Sequence, residues 1–374
     1  MRKVVSFSGY YGMSNYGDDL FAITCALGAE KYWGVQPAVI APPICGIEEF
    51  CTVPRSFRSK YLKVDTSGAL VRAFYKGSAV LKSNMLVLGG GSTVSPLPPK
   101  IFDFYSRFPL FKSQLAGIGL SVEPVVTSKE VEENLARFLK EFKFISLRDR
   151  ASYEYVSGLG VSCPKIMARD LVGALPGLLQ IGPKEANEKT VIGVAPCNYE
   201  SYVGGSKDKE KDRNLGVIEG VINFARQKTA IVLLFSMNNH PLVGDDDLVL
   251  QYEKKLHDAG IECLIVSNAE VGPIGIWNKI RSCNYFVSVR LHGAITAYLN
   301  EVPFLLVEYH KKCTEFLVDI GMPDAHRLDA VTAVTVCEKL NQLERIRGQQ
   351  CSLSAKQYEM DSLENFVAFR EYVQ

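Results

Sequence analysis

The chain has 374 residues, of which 47% are hydrophobic and 22% are charged, a composition that excludes a disordered or fibrous protein and suits about two domains. Its 42 basic and 41 acidic side chains nearly cancel, so no general attraction to nucleic acid is expected, and any anion must be held by a local site. No apolar run approaches the roughly 18 residues that span a bilayer, which leaves peripheral contact as the expected form of any membrane association.

The ten cysteines are scattered, and no two of them form a C-x-x-C pair. This spacing argues against a zinc site and against a disulfide framework, so a reducing compartment is the simpler expectation. The N-terminal residues 1–9 contain too short an apolar stretch for a signal peptide. We therefore expect a cytoplasmic protein, located at the inner face of the cell membrane if its substrate lies there.

Short apolar runs alternate with helical patterns from end to end, which favours parallel sheets covered by helices on both faces. The predicted strands of the first half are Lys3–Ser8, Gln36–Ala41, Asn84–Leu88, Gln114–Ile118, Phe142–Leu147 and Pro164–Ala168. Those of the second half are Val191–Ala195, Ala230–Phe235, Glu262–Val266, Tyr285–Val289 and Phe304–Glu308. The predicted fold class is α/β, with two Rossmann-like, doubly wound lobes that face a cleft.

The helix signals differ in strength along the chain. The clearest is a capping box at Thr127 and Glu130 that opens an apolar pattern at helical spacing. The predicted helices of the second half are Leu215–Gln227, Asp246–Ala259, Ile274–Arg281, Ala294–Leu299 and Thr314–Ile320. The polar stretch 199–213 is interpreted as a solvated surface loop, and a mobile flap over the cleft is the functional alternative.

A stretch that contains proline and glycine and then becomes charged, residues 176–190, predicts a linker between two lobes. Residues 1–175 would form the N-terminal lobe and residues 191–351 the C-terminal lobe. The helical tail, residues 352–374, is expected to pack back on the first lobe. In such a protein, ligands bind where the strands of each sheet end.

The first strand leads into a glycine-rich turn that opens a helix. Gly9, Gly12 and Gly17 allow a sharp turn, and the helix start offers N–H groups to an anion. The glycine spacing is not that of a dinucleotide fingerprint, and no P-loop lysine follows. A tight turn capped by Asn15 or Asp18 is the structural alternative, and the sequence leaves both open.

Three glycines, Gly89–Gly91, end a central strand and are followed by Ser92 and Thr93. Because glycine carries no side chain, a ligand or another backbone is expected to come close there. The two hydroxyls could then donate hydrogen bonds to a ligand.

Basic residues end two strands of the first half. Arg148 could bind a carboxylate or a phosphate through two hydrogen bonds, and Asp149 could either hold the arginine in position or cap the next helix. By itself Arg148 is more typical of an ion pair than of a ligand site. Asp170, at the end of the next strand, is expected to be a helix cap.

The sharpest constellation lies in the second half. Arg290, His292 and Gly293 occupy a junction between a buried strand and a helix, where phosphates often bind. Glu308 and Lys312 follow the next strand, so all these side chains are expected to converge if the two strands pair. The remaining histidines lack metal-ligand spacing to one another: His240, His257, His310 and His326.

In this order, the motifs resemble those of the polysaccharide pyruvyl transferases over nearly the whole chain. The matching residues are Gly9-x-x-Gly12-x-x-Asn15-x-Gly17-Asp18, Gly89–Gly91, Leu147-Arg148-Asp149 with Ser152, and Arg290-Leu291-His292-Gly293 with Lys312. The resemblance implies a fold like that of the two-lobed GT-B glycosyltransferases. It also implies transfer of a pyruvyl group from phosphoenolpyruvate to a sugar, as a cyclic ketal on a precursor of a cell-surface or extracellular polysaccharide.

The resemblance further implies which residues form the site. Arg148, Arg290 and Lys312 would bind the donor, and His292 would be catalytic beside them, since imidazole exchanges protons near neutral pH. Asp18 is a second catalytic candidate, as a base or as a partner of a sugar hydroxyl. The candidate loop contacts are Gly12, Asn15, Gly90, Gly91, Ser92 and Gly293.

The expected partners are phosphoenolpyruvate as co-substrate and a sugar acceptor that is lipid-linked, free or nucleotide-activated. No metal, no other cofactor and no nucleic acid are expected. A nucleotide-sugar-dependent GT-B glycosyltransferase is the nearest alternative, because a cleft lined by Arg and Lys also suits a diphosphate leaving group. A non-catalytic sugar- or phosphate-binding protein is the third hypothesis, and the missing fingerprint disfavours a dinucleotide-dependent oxidoreductase.

Overall fold

The structure is a computed structural model that describes residues 2–94, 114–125, 128–179, 182, 184, 187–200, 204–328, 330–345 and 351–373. Contacts between Cα atoms divide the chain into two compact units. The first unit contains residues 1–13, 18–180 and 358–374. The second contains residues 181–357 and, inserted from the start of the chain, residues 14–17.

The first unit is built on a six-stranded parallel sheet in the order β2-β1-β3-β4-β5-β6. Its strands are β1 Val4–Ser8, β2 Gln36–Val39, β3 Met85–Gly91, β4 Gln114–Leu120, β5 Phe142–Leu147 and β6 Lys165–Met167. The central strands are buried along almost their whole length, as expected for a parallel sheet covered on both faces.

Helices connect these strands. They are α1 Tyr16–Gly28, α2 Arg58–Tyr61, α3 Thr66–Lys82, α4 Lys129–Lys140 and α5 Arg150–Gly158, with α12 Ala355–Val367 and α13 Arg370–Val373 at the C-terminal end. The capping box predicted at Thr127 lies outside the described residues, and α4 instead begins after Ser128. Asp149 caps α5 by accepting a hydrogen bond from the Ser152 N–H, 2.7 Å.

The C-terminal helices belong to the first unit. The Trp33 indole donates to the Phe366 carbonyl, 2.8 Å, and the Ser146 hydroxyl donates to Asn365 Oδ1, 2.5 Å. Phe369 packs edge-on against Trp33. Aromatic burial and two buried hydrogen bonds therefore fix the tail against the segment before β2 and against β5 of this sheet.

The glycines that end β3 make room for side chains of the same unit. The Tyr11 hydroxyl lies against Gly89 and donates to its carbonyl. A Cβ on Gly90, which has φ of 73°, would lie 2.5 Å from Phe21 Cγ. The space expected for a ligand or another backbone at this strand end thus holds the side chains of Tyr11 and Phe21.

The second unit is built on a five-stranded parallel sheet in the order β11-β10-β7-β8-β9. Its strands are β7 Val191–Ala195, β8 Ile231–Ser236, β9 Cys263–Ser267, β10 Tyr285–Ser288 and β11 Phe304–Leu306. Its helices are α6 Lys207–Lys228, α7 Asp246–Asp258, α8 Asn268–Ser282, α9 Leu291–Leu299, α10 Lys311–Asp319 and α11 Ala333–Arg345. The fold class predicted from the sequence, two Rossmann-like α/β units, is confirmed.

The interpretation of residues 199–213 as a solvated loop is wrong for their second half. Helix α6 begins at Lys207, because the Ser206 hydroxyl accepts a hydrogen bond from the Lys209 N–H. Glu210 and Arg213 are buried and lie one helical turn apart, with 3.7 Å between Arg213 Nη2 and Glu210 Oε2. Their pairing offsets part of the cost of burying these charges. A run of charged residues in the sequence does not reveal such a pair.

All ten cysteines are free thiols. Within the described ranges, no helix is long and apolar enough to cross a membrane. The same part of the chain holds no group of three His, Cys, Asp or Glu side chains arranged to bind a metal ion.

Candidate functional site

Residues 14–17, which follow β1 in the sequence, are built into the second unit. The Asn239 N–H donates to the Ser14 carbonyl, 3.0 Å, and the Tyr16 N–H donates to the Met237 carbonyl, 2.8 Å. The buried Tyr16 hydroxyl lies 2.8 Å from Thr296 Oγ1, which itself donates to the His292 carbonyl. The segment is therefore tied to the end of β8 and to helix α9.

His292 lies directly against this segment. A Cβ on Gly17 would lie 2.6 Å from Cγ of the imidazole and closer still to Nδ1. Only a glycine leaves room for the ring in this position, and the φ of Gly17 is not in the left-handed region. The glycine therefore serves packing around His292 rather than an unusual backbone turn.

Arg290 is the N-cap residue of α9 and ends the loop after β10. Its Nε and Nη2 donate to the two oxygens of Asp245, at 2.7 and 2.5 Å, a bidentate pair with a fully buried carboxylate. Burial alone would lower the pKa of Arg290, but the Asp245 charge raises it well above the ordinary value. The guanidinium is thus permanently charged and fixed, with Nη1 making no hydrogen bond to the described residues.

Lys312 is in the first turn of α10, beside the end of β11. Its Nζ lies 5.9 Å from the centre of the Tyr199 ring, on the loop that follows β7. His310 caps the helix, because its Nδ1 accepts the Lys312 N–H, 3.2 Å. The Tyr199 ring packs edge-on against the His310 imidazole.

The loop after β7 is held by Arg213. This guanidinium pairs with Glu200, donates to the Cys197 carbonyl at 2.8 Å, and lies 5.4 Å from the centre of the Tyr309 ring. The Glu210 carboxylate accepts the Glu200 N–H, 2.7 Å. Arg213 therefore orders the loop that carries Tyr199.

Three cations of this region act on the Cys197 thiol. Burial and, to a smaller extent, the Asp245 carboxylate raise its pKa to about 11, while Arg290, Arg213 and Lys312 each act electrostatically to lower it. The ends of β10 and β11, which lie in the same sheet, supply Arg290 and Lys312, and helix α6 supplies Arg213. Arg290 and Arg213 are each paired with a carboxylate. Such a cluster at the carboxyl ends of parallel strands suits an anionic ligand.

Two residues of the predicted constellation have structural roles. Glu308 was expected to converge with Arg290, but its carboxylate pairs with both Nε and Nη2 of Arg327, at 2.9 and 2.5 Å. A Cβ on Gly293 would lie 2.6 Å from Ser288 Oγ, so this glycine lets α9 pack on β10.

Arg148, in the first unit, is buried and ion-paired. Its Nη1 lies 3.2 Å from Asp170, and its Nε lies 3.6 Å from Asp149. Asp170 also accepts the Val172 N–H, 3.0 Å, and so has the capping role expected for it. The contact of Arg148 with a donor stays a prediction, and in the structure its charge is balanced by two carboxylates.

The other predicted residues of the first unit lie around α1 and the end of β3. Asp18 is half-buried in the first turn of α1, and its catalytic role stays a prediction. Gly12 has φ of 69°, and a Cβ there would lie 2.6 Å from Pro42 Cδ, so packing requires this glycine. Gly91 also has a positive φ, 71°, and Ser92 beside it is exposed.

Asn15, in the segment that joins the second unit, accepts the Gly17 N–H at 3.3 Å and forms a β-bridge with Asn238. It therefore stabilises the turn. Thr93, which follows β3 and was considered as a ligand donor, has a buried Oγ1 without a hydrogen-bond partner among the described residues. The loop contact predicted for Asn15 and the hydrogen bond to a ligand considered for Thr93 remain predictions.

Several residues that build the site carry little signal in the sequence. They are Cys197, Tyr199, Arg213, Asp245 and Tyr309. The only available signal was the acidic run that starts at Asp245, just before a predicted helix. Its pairing with Arg290, 45 residues further on, cannot be read from spacing.

The comparisons with known proteins fit this architecture. The family model "Polysaccharide pyruvyl transferase" matches residues 15–311. No curated protein matches the chain significantly.

Solved structures match in fold at low identity. Staphylococcus aureus MnaA, solved with UDP, has a TM-score of 0.64 at 12% identity and covers 100% of this chain and 96% of its own. A UDP-GlcNAc 2-epimerase from Methanocaldococcus jannaschii has a TM-score of 0.59 at 10% identity, covering 96% and 97%. A glycosyltransferase from Rickettsia africae has a TM-score of 0.56 at 9% identity, covering 98% and 93%. These likenesses show the fold alone.

Proposed function

Because the chain belongs to the polysaccharide pyruvyl transferase family, and so is an enzyme acting on polysaccharide, we propose that phosphoenolpyruvate is its donor. The pyruvyl group would pass to a sugar of a cell-surface or extracellular polysaccharide precursor as a cyclic ketal, and inorganic phosphate would be released. The observation that carries the proposal is the placement of Arg290 and Lys312 at the starts of the helices that follow the paired strands β10 and β11, with His292 on the first of these helices.

The donor has two anionic groups, a carboxylate and a phosphate, and needs fixed cations for both. Arg290 is held by Asp245, so it meets the donor without the cost of ordering a flexible side chain. Lys312 supplies a second charge from the neighbouring strand end. No side chain caps α9, and uncapped N–H groups at a helix start favour a phosphate.

The reaction requires two hydroxyls of one sugar and one donor molecule. A proton is added to the methylene carbon of phosphoenolpyruvate, and a sugar oxygen bonds to the adjacent carbon. The bond from that carbon to the phosphate oxygen then breaks, and the second sugar oxygen takes its place. The two sugar hydroxyls lose two protons in total. One is balanced by the proton that the methylene carbon gains when it becomes a methyl group, and the other leaves with phosphate.

His292 would move these protons. An imidazole has an ordinary pKa near 6.5, about right for both giving and accepting a proton near neutral pH. Its ring is positioned by Gly17 and by the hydrogen bond between Tyr16 and Thr296. Asp18 is the next residue after this segment, and we propose it as a base or as an orienting partner for an acceptor hydroxyl.

The test is acceptor-dependent release of phosphate from phosphoenolpyruvate, together with a gain of about 70 Da on a lipid-linked oligosaccharide, as the transfer chemistry requires. Release of a nucleoside diphosphate from a sugar nucleotide would instead support the glycosyltransferase alternative. Unaltered donor and acceptor after long incubation would support a binding protein.

Lys312→Ala should raise KM for phosphoenolpyruvate by about ten- to a hundredfold, because a charge-assisted contact is lost. The matched control is Lys311→Ala in the same helical turn, since Lys311 is exposed and pairs with Glu315 at 3.2 Å. Equal KM values for the two variants would contradict the role of Lys312.

A further inference from the structure

The first unit carries a surface, formed by α2, α3 and the residues just before them, that the proposed reaction does not use. Its apolar members are all exposed to solvent: Phe57, Val64, Leu70, Phe74 and Leu81. Its exposed basic members are Arg55, Lys60, Lys63 and Lys82. We call these nine residues the α2–α3 surface.

The apolar residues are unusual in their degree of exposure. Leu70, Phe74 and Leu81 are 66%, 69% and 67% exposed. They recur at helical spacing along one side of α3, and Gly77 between them has open space beyond its Cα. The opposite side of the helix packs inward through Gly68 and Ala79. A helix that is apolar on two sides needs a second apolar environment.

The aromatic residues are connected across the surface. Phe57 and Phe74 both pack edge-on against the Tyr75 ring, with ring centres 5.9 and 5.3 Å away. Tyr75 in turn packs against a small buried cluster of this unit. The two exposed phenylalanine rings are therefore supported from beneath and held near each other.

The segment that carries this surface is much more basic than the rest of the chain. Residues 54–82 contain seven basic residues and one acidic residue, a net charge of +6, whereas the whole chain carries +1. The one acid, Asp65, caps α3 by accepting the Gly68 N–H at 2.9 Å. Arg72 donates to the Tyr61 and Lys63 carbonyls and so fixes the turn between α2 and α3. The remaining 345 residues must carry a net charge of −5.

We propose that the α2–α3 surface docks on an anionic lipid bilayer, with the apolar side chains inserted and the basic ones at the headgroups. Exposed aromatic and aliphatic residues among Lys and Arg are the pattern of shallow interfacial binding. A protein partner is disfavoured because the cores of protein interfaces are depleted in lysine, which is abundant here. The proposal rests on neither the donor nor the acceptor of the proposed reaction.

The experiment is flotation of the full chain with vesicles of phosphatidylcholine alone and of phosphatidylcholine mixed with phosphatidylglycerol. The wild type should float with the anionic vesicles only, and less at high salt. Lys60→Glu/Lys63→Glu should lower the partition coefficient at least about thirtyfold. Leu70→Ser/Phe74→Ser should also abolish flotation, and should leave the fold intact because these side chains are exposed.

Matched controls come from the second unit. Leu242→Ser/Leu250→Ser removes two other exposed leucines, and Lys254→Glu/Lys279→Glu reverses two other exposed lysines. Both should float like the wild type. If the controls lose flotation as much as the variants of the α2–α3 surface do, then overall charge or hydropathy explains the binding and the proposal is overturned.

Other occupants would be recognised by different results. If light scattering finds a dimer that Leu70→Ser/Phe74→Ser converts to monomer without lipid, the surface joins two copies of the chain. If the folded wild type binds neither kind of vesicle, the result would indicate that the surface binds a protein partner instead. Either result overturns the membrane proposal.

Discussion

Replacing Gly17 by alanine tests how the site positions His292. The new Cβ would lie 2.6 Å from Cγ of the imidazole, whereas ordinary contacts begin at 3.4 Å, so the ring must move by about 1 Å. A displacement of about 1 Å in a catalytic group can lower the rate about a hundredfold, equal to about 2.7 kcal/mol in the barrier. We expect kcat for phosphate release to fall by that factor, with a smaller change in KM for phosphoenolpyruvate.

The effect on stability separates this clash from general damage. In a His292→Ala background the ring is absent, so Gly17→Ala should no longer lower the melting temperature. Gly158→Ala is the control, because a Cβ there meets nothing within 4 Å and its φ is ordinary. If Gly17→Ala keeps wild-type kcat, or lowers the melting temperature equally in both backgrounds, then Gly17 does not position the imidazole of His292.

Two further predictions concern the first unit. Burial raises the pKa of Asp19 to about 7, although the hydrogen bond from the Gly12 N–H acts to lower it. The protonated Asp19 side chain is therefore compatible with the fold at low pH, and the stability of the fold decreases as the pH rises from about 4 to 7. Asp19→Asn should therefore raise the free energy of unfolding at pH 8 by up to about 4 kcal/mol and change it little at low pH, as measured by urea unfolding; an equal effect at both pH values would contradict this. Arg148→Ala removes the positive charge that pairs with the buried Asp170 carboxylate and should lower the free energy of unfolding by about 3 kcal/mol. Arg150→Ala, a change at an exposed neighbour, should have an effect of less than about 0.5 kcal/mol. Similar unfolding curves for these two arginine variants would show that the ion pair does not stabilise the fold.

Much of the fold could be predicted, because buried parallel strands are continuous apolar runs. The prediction gave β5 and β7 with the observed bounds. It failed at α6, where Glu210 and Arg213 are charged in the sequence but paired and buried in the structure. A pairing between side chains depends on three-dimensional contacts that periodicity does not encode.

The candidate site could be predicted in part for the same reason. Arg290, His292 and Lys312 follow predicted strands, and the structure places all three in the second unit at neighbouring strand ends. Asp245, which fixes Arg290, comes from a different strand end and was missed. The sequence left two interpretations of Gly17, a tight turn or an anion site. Neither of them included the His292 imidazole that Gly17 accommodates.

Isothermal titration of the full chain with phosphoenolpyruvate measures whether the cations around Cys197 bind this donor. We expect saturable binding by the wild type and by Lys311→Ala, and binding by Lys312→Ala weakened about tenfold or more. If phosphoenolpyruvate does not bind while UDP does, or if Lys311→Ala and Lys312→Ala bind the donor equally, the assignment is contradicted.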